Sequence, residues 1–117
     1  MDVDAATSAL AALSQGTRLE TFRLLVRHEP DGLPAGEIAR RLAVPQNTMS
    51  AHLAVLARAG LAVSERHSRS IIYRADLNRL TELMLFLVKD CCCGRAELCA
   101  PLIAALTPRC PAPEAMP

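Results

Sequence analysis

Residues 36–60 of this 117-residue chain, GEIARRLAVPQNTMSAHLAVLARAG, determine the fold that we predict for it. Apolar residues recur there with helical spacing in two short segments, one starting near Pro34 and the other opened by Pro45, because proline suits a first helical turn. The tight connection Ala43–Val44 joins the segments, and Gly60 ends the second one, as glycine commonly does after a helix. The inner apolar positions are Ile38, Ala39, Leu42, Met49, Leu53 and Leu56. The stretch therefore predicts two helices joined by a tight turn.

Two further helices are predicted before this pair. Asp4 can cap a first helix that runs to about Ser14. Apolar residues at helical spacing from Leu19 to Val26 predict a second helix, which ends at the Glu-Pro-Asp-Gly run of residues 29–32. The chain contains two Phe, one Tyr and no Trp, so its core must be built from Leu, Ala, Val and Ile.

A β-hairpin and a fifth helix are predicted after the pair. The apolar period changes to about two at Leu61 and Val63, residues 66–70 interrupt it as a basic tip, and the alternation resumes at residues 71–73. The fifth helix covers roughly residues 76–89, with Asp76 as its cap. Its last turns are apolar nearly all round, which is more than one small domain needs to cover a single face. We therefore expect the second face to pack against another copy of the chain in a homodimer.

Positive charge is concentrated in the middle of the chain. The segment from Arg40 to Arg74 holds six basic residues and one acidic residue, although the whole chain has a net charge of only +1. Such a basic centre is typical of proteins that bind a polyanion. Two short helices followed by a basic hairpin also form the layout of a winged helix-turn-helix, so the predicted fold is mainly α with a small β-hairpin wing.

This layout predicts which side chains contact DNA. The early residues of the second helix of the pair would face base edges in the major groove. The hairpin arginines would meet the DNA backbone or the minor groove. The candidates are Gln46, Asn47, Thr48, Ser50, His52, Arg66 and Arg69.

The sequence argues against several other classes of protein. Residues 1–13 lack the basic start and apolar run of a signal peptide, and no run of about 18 apolar residues is present to span a membrane. We therefore expect a cytoplasmic protein without a membrane partner. Neither a Gly-rich phosphate loop nor a plausible nucleophile with its base is found, so we expect no enzyme. Residues 1–106 are predicted to form one domain, followed by a Pro-rich, disordered tail over residues 107–117.

The stretch from Arg18 to Ala75 resembles the ArsR/SmtB (arsenical-resistance repressor) family. The resemblance extends over roughly residues 8–93, and residues 36–60 carry its most specific part. It implies a dimeric winged-helix repressor that leaves double-stranded operator DNA when a metal or metalloid ion binds. Two positions depart from the family pattern, since Ala43 stands where the turn often has Gly and residues 67–69 form a hairpin tip without Gly.

The cysteines indicate which effector the resemblance implies. The Cys-x-Cys motif that some members place before the recognition helix is absent from residues 37–42, and Asp76 has no matching histidine for a zinc site on the fifth helix. Residues 90–99, DCCCGRAELC, are similar to members with a vicinal Cys pair after the fifth helix and a third Cys several residues later. On this pattern the ligands of As(III) or Sb(III) are Cys91, Cys92 and Cys99, and Cys93 is the spare.

The ligand chemistry supports this interpretation but leaves alternatives open. Thiolates are soft ligands, and three sulfurs suit a trivalent metalloid, whereas a structural zinc prefers four closed ligands. The spacing also allows Cys93 to replace Cys91 in the set. Other candidate effectors are methylarsenite, cadmium and lead, and a thiol redox sensor is a rival of another class. Cys110, in the tail, is expected to be a free thiol.

Overall fold

The structure, a computed structural model, describes residues 1–88 together with residues 101 and 105. The chain divides into two compact units, Met1–Leu83 and Met84–Pro117, and the first unit holds nearly all the described elements. The elements are α1 (Val3–Leu13), α2 (Gly16–Arg27), β1 (Leu33–Pro34), α3 (Ala35–Leu42), α4 (Gln46–Arg58), β2 (Ala62–His67), β3 (Ser70–Ala75) and α5 (Leu77–Val88). The predicted winged helix-turn-helix fold is confirmed. The predicted boundary between a domain of residues 1–106 and its tail stays a prediction.

The start of α1 differs from the prediction. Asp2, not Asp4, is the cap, because Asp2 has an extended backbone and its Oδ1 accepts a hydrogen bond of 2.8 Å from the N–H of Ala5. Asp4 lies in the first turn, where a carboxylate still favours the positive end of the helix. Gln15 caps α2 in the same way, since its Oε1 accepts from the N–H of Arg18 at 2.9 Å.

The interior of the first unit is aliphatic, as the scarcity of aromatic residues predicts. One face of α1 is a seam of alanines, Ala6, Ala9 and Ala12, which lets this helix lie close to α2 and α4. The predicted inner stripe of α4 is confirmed, because Met49, Leu53 and Leu56 are its buried residues. The large side chains that are fully buried are Leu25, Ile38, Met49, Leu53, Leu56, Leu61 and Thr21.

The hairpin belongs to an antiparallel sheet of three strands in the order β1-β3-β2. Strand β1 was not predicted, because two residues are too few to show an alternating pattern; it places Leu33 opposite Tyr73. Strands β2 and β3 stay paired as far as His67 and Ser70, so the turn contains only two residues. The predicted five-residue tip is thus wrong, since Arg66 lies within β2 and Arg69 lies in the turn.

The predicted cap of α5 is confirmed, because Oδ1 of Asp76 accepts from the N–H of Arg79 at 3.1 Å. Lys89, the predicted last residue of this helix, lies outside the described residues. Leu83 is buried, whereas several apolar side chains of α5 are exposed, namely Leu77, Met84, Leu85 and Leu87. No helix in the described part of the chain has both the length and the apolar character that crossing a membrane requires.

Candidate nucleic-acid interface

The turn between α3 and α4 fixes the position of α4. Ala43 adopts a left-handed conformation with φ of 56°. This reversal lets the N–H of Val44 reach the carbonyl of Ala39 at 3.0 Å, which satisfies a free carbonyl at the end of α3. Pro45 then occupies the N-cap position before α4, which has no side-chain cap. The predicted tight connection between the two helices is confirmed.

The outward face of α4 carries a polar side chain at its start and small side chains in its middle. At 3.6 residues per turn, Asn47, Ala51, Ala54 and Arg58 lie on the side opposite the buried stripe, and all four are exposed. The two alanines leave room for the helix backbone to approach a partner closely. Arg58 was not predicted as a contact residue, although its spacing from Asn47 puts it on the same face.

The candidates on α4 do not all lie on this outward face. Asn47 does, and its Oδ1 accepts from the N–H of Thr48 at 2.9 Å, which leaves its amide N–H groups available as donors. Gln46 lies to one side, because a Cβ at Gly36 would be 3.5 Å from its Oε1. By helical spacing, Thr48 and His52 lie on the other flank, Thr48 exposed and His52 half-buried.

Gln46 and Ser50 line a cleft between α3, α4 and the hairpin. Its volume is about 360 Å³, and its lining residues are Pro34, Ala35, Gly36, Gln46, Ser50, Arg69, Ser70, Ile71 and Tyr73. The structure thus brings together three of the predicted residues, two on α4 and Arg69 in the turn of the hairpin. Gly36 and Tyr73 were not predicted: α3 places Gly36 beside Gln46, and the pairing of β1 with β3 brings Tyr73 to the same cleft.

The opposite face of the hairpin is held by ion pairs. Arg74 binds Glu29, at the end of α2, at 2.8 Å and Glu65, on β2, at 2.9 Å, and His67 contacts Glu65 at 3.2 Å. Hydrogen bonds from His67 and Arg74 lower the pKa of Glu65, and those to Glu29 and Glu65 raise the pKa of Arg74. Glu65, the one acidic group of the hairpin, is therefore already paired.

The basic groups around the interface divide into paired and unpaired ones. On α3, Glu37 forms ion pairs with Arg40 and Arg41, and hydrogen bonds from these two arginines lower the pKa of its carboxyl group. Within the described part of the chain, neither Arg66 nor Arg69 has a carboxylate partner. Like Arg58 on α4, the two hairpin arginines are thus available to an external anion.

The predicted sensing residues cannot be placed on this framework. Cys91, Cys92, Cys93, Cys99 and Cys110 all lie outside the described residues. Among residues 1–88, 101 and 105, no group of three or more His, Cys, Asp or Glu side chains is arranged to hold a metal ion.

Comparison with known proteins bears on both the fold and the interface. A family model described as a helix-turn-helix domain matches residues 13–65. No curated protein matches the chain. Among solved structures, an ArsR-like transcriptional regulator from Rhodococcus sp. RHA1 is 30% identical, with a TM-score of 0.68 over 90% of this chain and 96% of that one.

Two other solved structures are similar over somewhat less of the chain. The homodimeric winged helix-turn-helix DNA-binding domain of Mb0332 from Mycobacterium bovis is 26% identical, with a TM-score of 0.61 over 75% of this chain and 82% of that one. HlyU from Vibrio cholerae N16961 is also 26% identical, with a TM-score of 0.60 over 78% of this chain and 99% of that one.

Proposed function

The chain belongs to the ArsR/SmtB family of winged helix-turn-helix transcriptional regulators, and from that premise we propose that it is a metalloid-responsive repressor. It binds operator DNA as a homodimer and leaves it when trivalent arsenic or antimony binds its cysteines. The observation that carries the DNA-binding part is the exposed outward face of α4, from Asn47 to Arg58, together with the hairpin arginines, which have no carboxylate partner among the residues that the structure describes.

The interface suits a duplex in its charge as well as its shape. With α4 in the major groove, the free N–H groups of Asn47 can donate to base acceptors. Ala51 and Ala54 then keep the helix axis close to the bases. Arg58 at the end of α4 and Arg66 on β2 supply exposed positive charge for the phosphate oxygens of the duplex. These side chains extend the predicted interface without replacing it.

Homodimer formation is supported by two observations. Leu85 and Leu87 of α5 are 60% and 54% exposed, which is costly for side chains of this size in water. The similar domain of Mb0332 is homodimeric. A dimer would present two copies of α4 to half-sites about 34–36 Å apart along the duplex.

The effector is proposed from the donor atoms that the sequence supplies. Cys91, Cys92 and Cys99 provide three thiolates in a segment without histidine, and such soft donors select soft ions over magnesium, calcium or manganese. Trivalent arsenic and antimony accept three sulfurs because a lone pair occupies the fourth direction. Cys93 remains an alternative to Cys91 in this set.

Effector and DNA are coupled through α5 in this proposal. The cysteines follow directly after the helix assigned to the dimer contact, so occupation of the thiolates would change how the two copies meet. The separation of the two α4 helices would change with it. A coupling of about 1–3 kcal/mol would lower operator affinity by about 5–150-fold, and DNA would weaken effector binding by the same factor.

The test is release of the protein from DNA by arsenite. A duplex is first selected from a random pool by the full chain, and its binding is followed by fluorescence anisotropy under reducing conditions. The wild-type chain should bind the duplex and release it on arsenite addition. Cys91→Ser and Cys92→Ser should bind the duplex equally well but ignore arsenite, because two sulfurs hold the ion poorly. Cys110→Ser, the matched control, should respond as the wild type does.

Parallel titrations separate the effector from the DNA-binding function. If Cys91→Ser and Cys92→Ser still release DNA on arsenite addition, the ligand assignment is wrong. Release by methylarsenite or cadmium but not arsenite would replace the effector and leave the repressor intact. Release by peroxide without any metalloid would point to a thiol redox sensor instead.

A further inference from the structure

We propose that the cleft between α3, α4 and the hairpin binds the DNA backbone. In each half-site, Arg69 and Tyr73 contact one phosphate there. The inference rests on the proposed DNA-binding function and deepens it, because it assigns the wing a phosphate contact rather than a minor-groove contact. It also gives roles to residues that do not lie on the outward face of α4.

The charge around the cleft selects an anion. Arg69 contributes a guanidinium group without a carboxylate partner in the described part of the chain, and no Asp or Glu is among the residues that line the cleft. Gln46, Ser50, Ser70 and Tyr73 add neutral groups that can donate hydrogen bonds. The one acidic residue of the hairpin, Glu65, lies on its other face, where Arg74 and His67 engage it.

The alternation of the hairpin separates these two faces. Residues paired across β2 and β3 share a side, so Glu65 lies with Ile72 and Val63 lies with Arg74. Ser64 with Tyr73, and Arg66 with Ile71, lie on the other side, which is the side of the cleft. Arg66 therefore adds its positive charge to the same face of the hairpin as Tyr73.

The apolar part of the lining suits a deoxyribose better than a free anion. Pro34, Ala35 and Ile71 form part of the wall, and Ile71 is 44% exposed. A sugar–phosphate strand offers both an apolar ring and a charged group within one nucleotide. Ser50 lies on the flank of α4 between the outward face and the cleft, so a strand leaving the major groove would pass directly into the cleft.

Gln46 lies at the side of the cleft that α3 forms. A Cβ at Gly36 would lie 3.5 Å from Oε1 of Gln46, an ordinary van der Waals distance, so the Gln46 carboxamide lies against the first turn of α3. Gln46 thus remains at the edge of the cleft instead of extending from α4 toward the bases. We assign it to the backbone contact rather than to base reading.

The experiment replaces single phosphates of the selected duplex by neutral methylphosphonates and measures each duplex with wild type and variants. Arg69→Gln should weaken binding to the unmodified duplex by about tenfold to a hundredfold, and should lower the slope of log affinity against log salt by about 1. Tyr73→Phe, which keeps the ring, should weaken binding by about threefold to tenfold. Arg23→Gln removes an exposed arginine of α2 that does not line the cleft, and serves as the matched control.

The expected signature is coupling at one phosphate per half-site. Its methylphosphonate should cost the wild type and Arg23→Gln about tenfold or more, but cost Arg69→Gln and Tyr73→Phe much less, because the contact is already lost. The inference is overturned if no single phosphate couples to both residues, or if Arg69 couples instead to exchange of A·T for G·C pairs. Failure of the wild type to select any duplex would overturn the proposed function as well, so the two failures are distinguishable.

Discussion

Gly32 shows how a single residue secures the position of the sheet. Its φ is +75°, and a Cβ at this position would lie 2.5 Å from the carbonyl oxygen of Tyr73 and 2.8 Å from Cγ2 of Ile72. The first contact is with backbone, which cannot move aside without breaking the pairing of β1 with β3. Glycine is therefore required here both for its conformation and for its size.

We expect Gly32→Ala to lower the free energy of unfolding by at least about 2 kcal/mol, because left-handed strain adds to the clash. Urea unfolding followed by circular dichroism measures this change. Gly16→Ala is the control, since nothing lies within 4 Å of its added Cβ. At the first position of α2 it should be neutral or raise stability by about 0.5 kcal/mol. Equal effects of the two substitutions would contradict this account.

The proline and glycine residues of the sequence predicted where helices begin and end, but they did not predict which elements contact one another. Pro34 and Pro45 directly precede α3 and α4 because proline fixes φ, and Gly60 follows the C-cap of α4 because glycine readily adopts a positive φ. Strand β1 was missed because its two residues carry no period. The cap was placed at Asp4 instead of Asp2 because either carboxylate satisfies the same pattern.

The interface was predictable to a different degree. The exposed start of α4 follows from helical spacing relative to its buried stripe, so Asn47 and Ser50 were found. Gly36 and Tyr73 were missed because they lie 37 positions apart in the chain, and only the sheet brings them to one cleft. A local sequence pattern does not predict contacts between segments that are so far apart in the chain.

The turn between α3 and α4 carries strain that a substitution can remove. Ala43 holds φ of 56°, a conformation that costs a side chain about 1–2 kcal/mol. We expect Ala43→Gly to raise the free energy of unfolding by about 0.5–1 kcal/mol, after the larger unfolded-state entropy of glycine is subtracted. Ala57→Gly, on the exposed side of α4, should instead lower it by about 1 kcal/mol. Chemical unfolding of the two variants shows whether the sign of the change in unfolding free energy depends on the backbone conformation of the substituted residue.

At the scale of the molecule, the exposed leucines of α5 favour packing against a second copy of the chain. We expect Leu85→Glu to convert a dimer to a monomer, because a charge would replace an apolar contact. Binding to the selected duplex should weaken by at least about a hundredfold, because a monomer engages one half-site where the dimer engages two linked ones. Sedimentation equilibrium measures the mass and anisotropy the affinity.

Leu19→Glu supplies the matched control for that prediction. Leu19 is 43% exposed on α2, so the same charge is introduced at a similarly exposed leucine on another helix. It should leave both mass and affinity unchanged. A Leu85→Glu variant that remains dimeric would exclude this part of α5 from the contact between subunits.

The cleft also contains the chain's one tyrosine, and the chain has no tryptophan. Its intrinsic ultraviolet emission therefore comes from Tyr73, apart from a weak phenylalanine background. An optical signal that averages over many sites in most proteins reports here on a single half-buried phenol beside Arg69 and Gln46. Quenching or lifetime measurements on the unlabelled protein would then follow the environment of the wing, without introducing any foreign group.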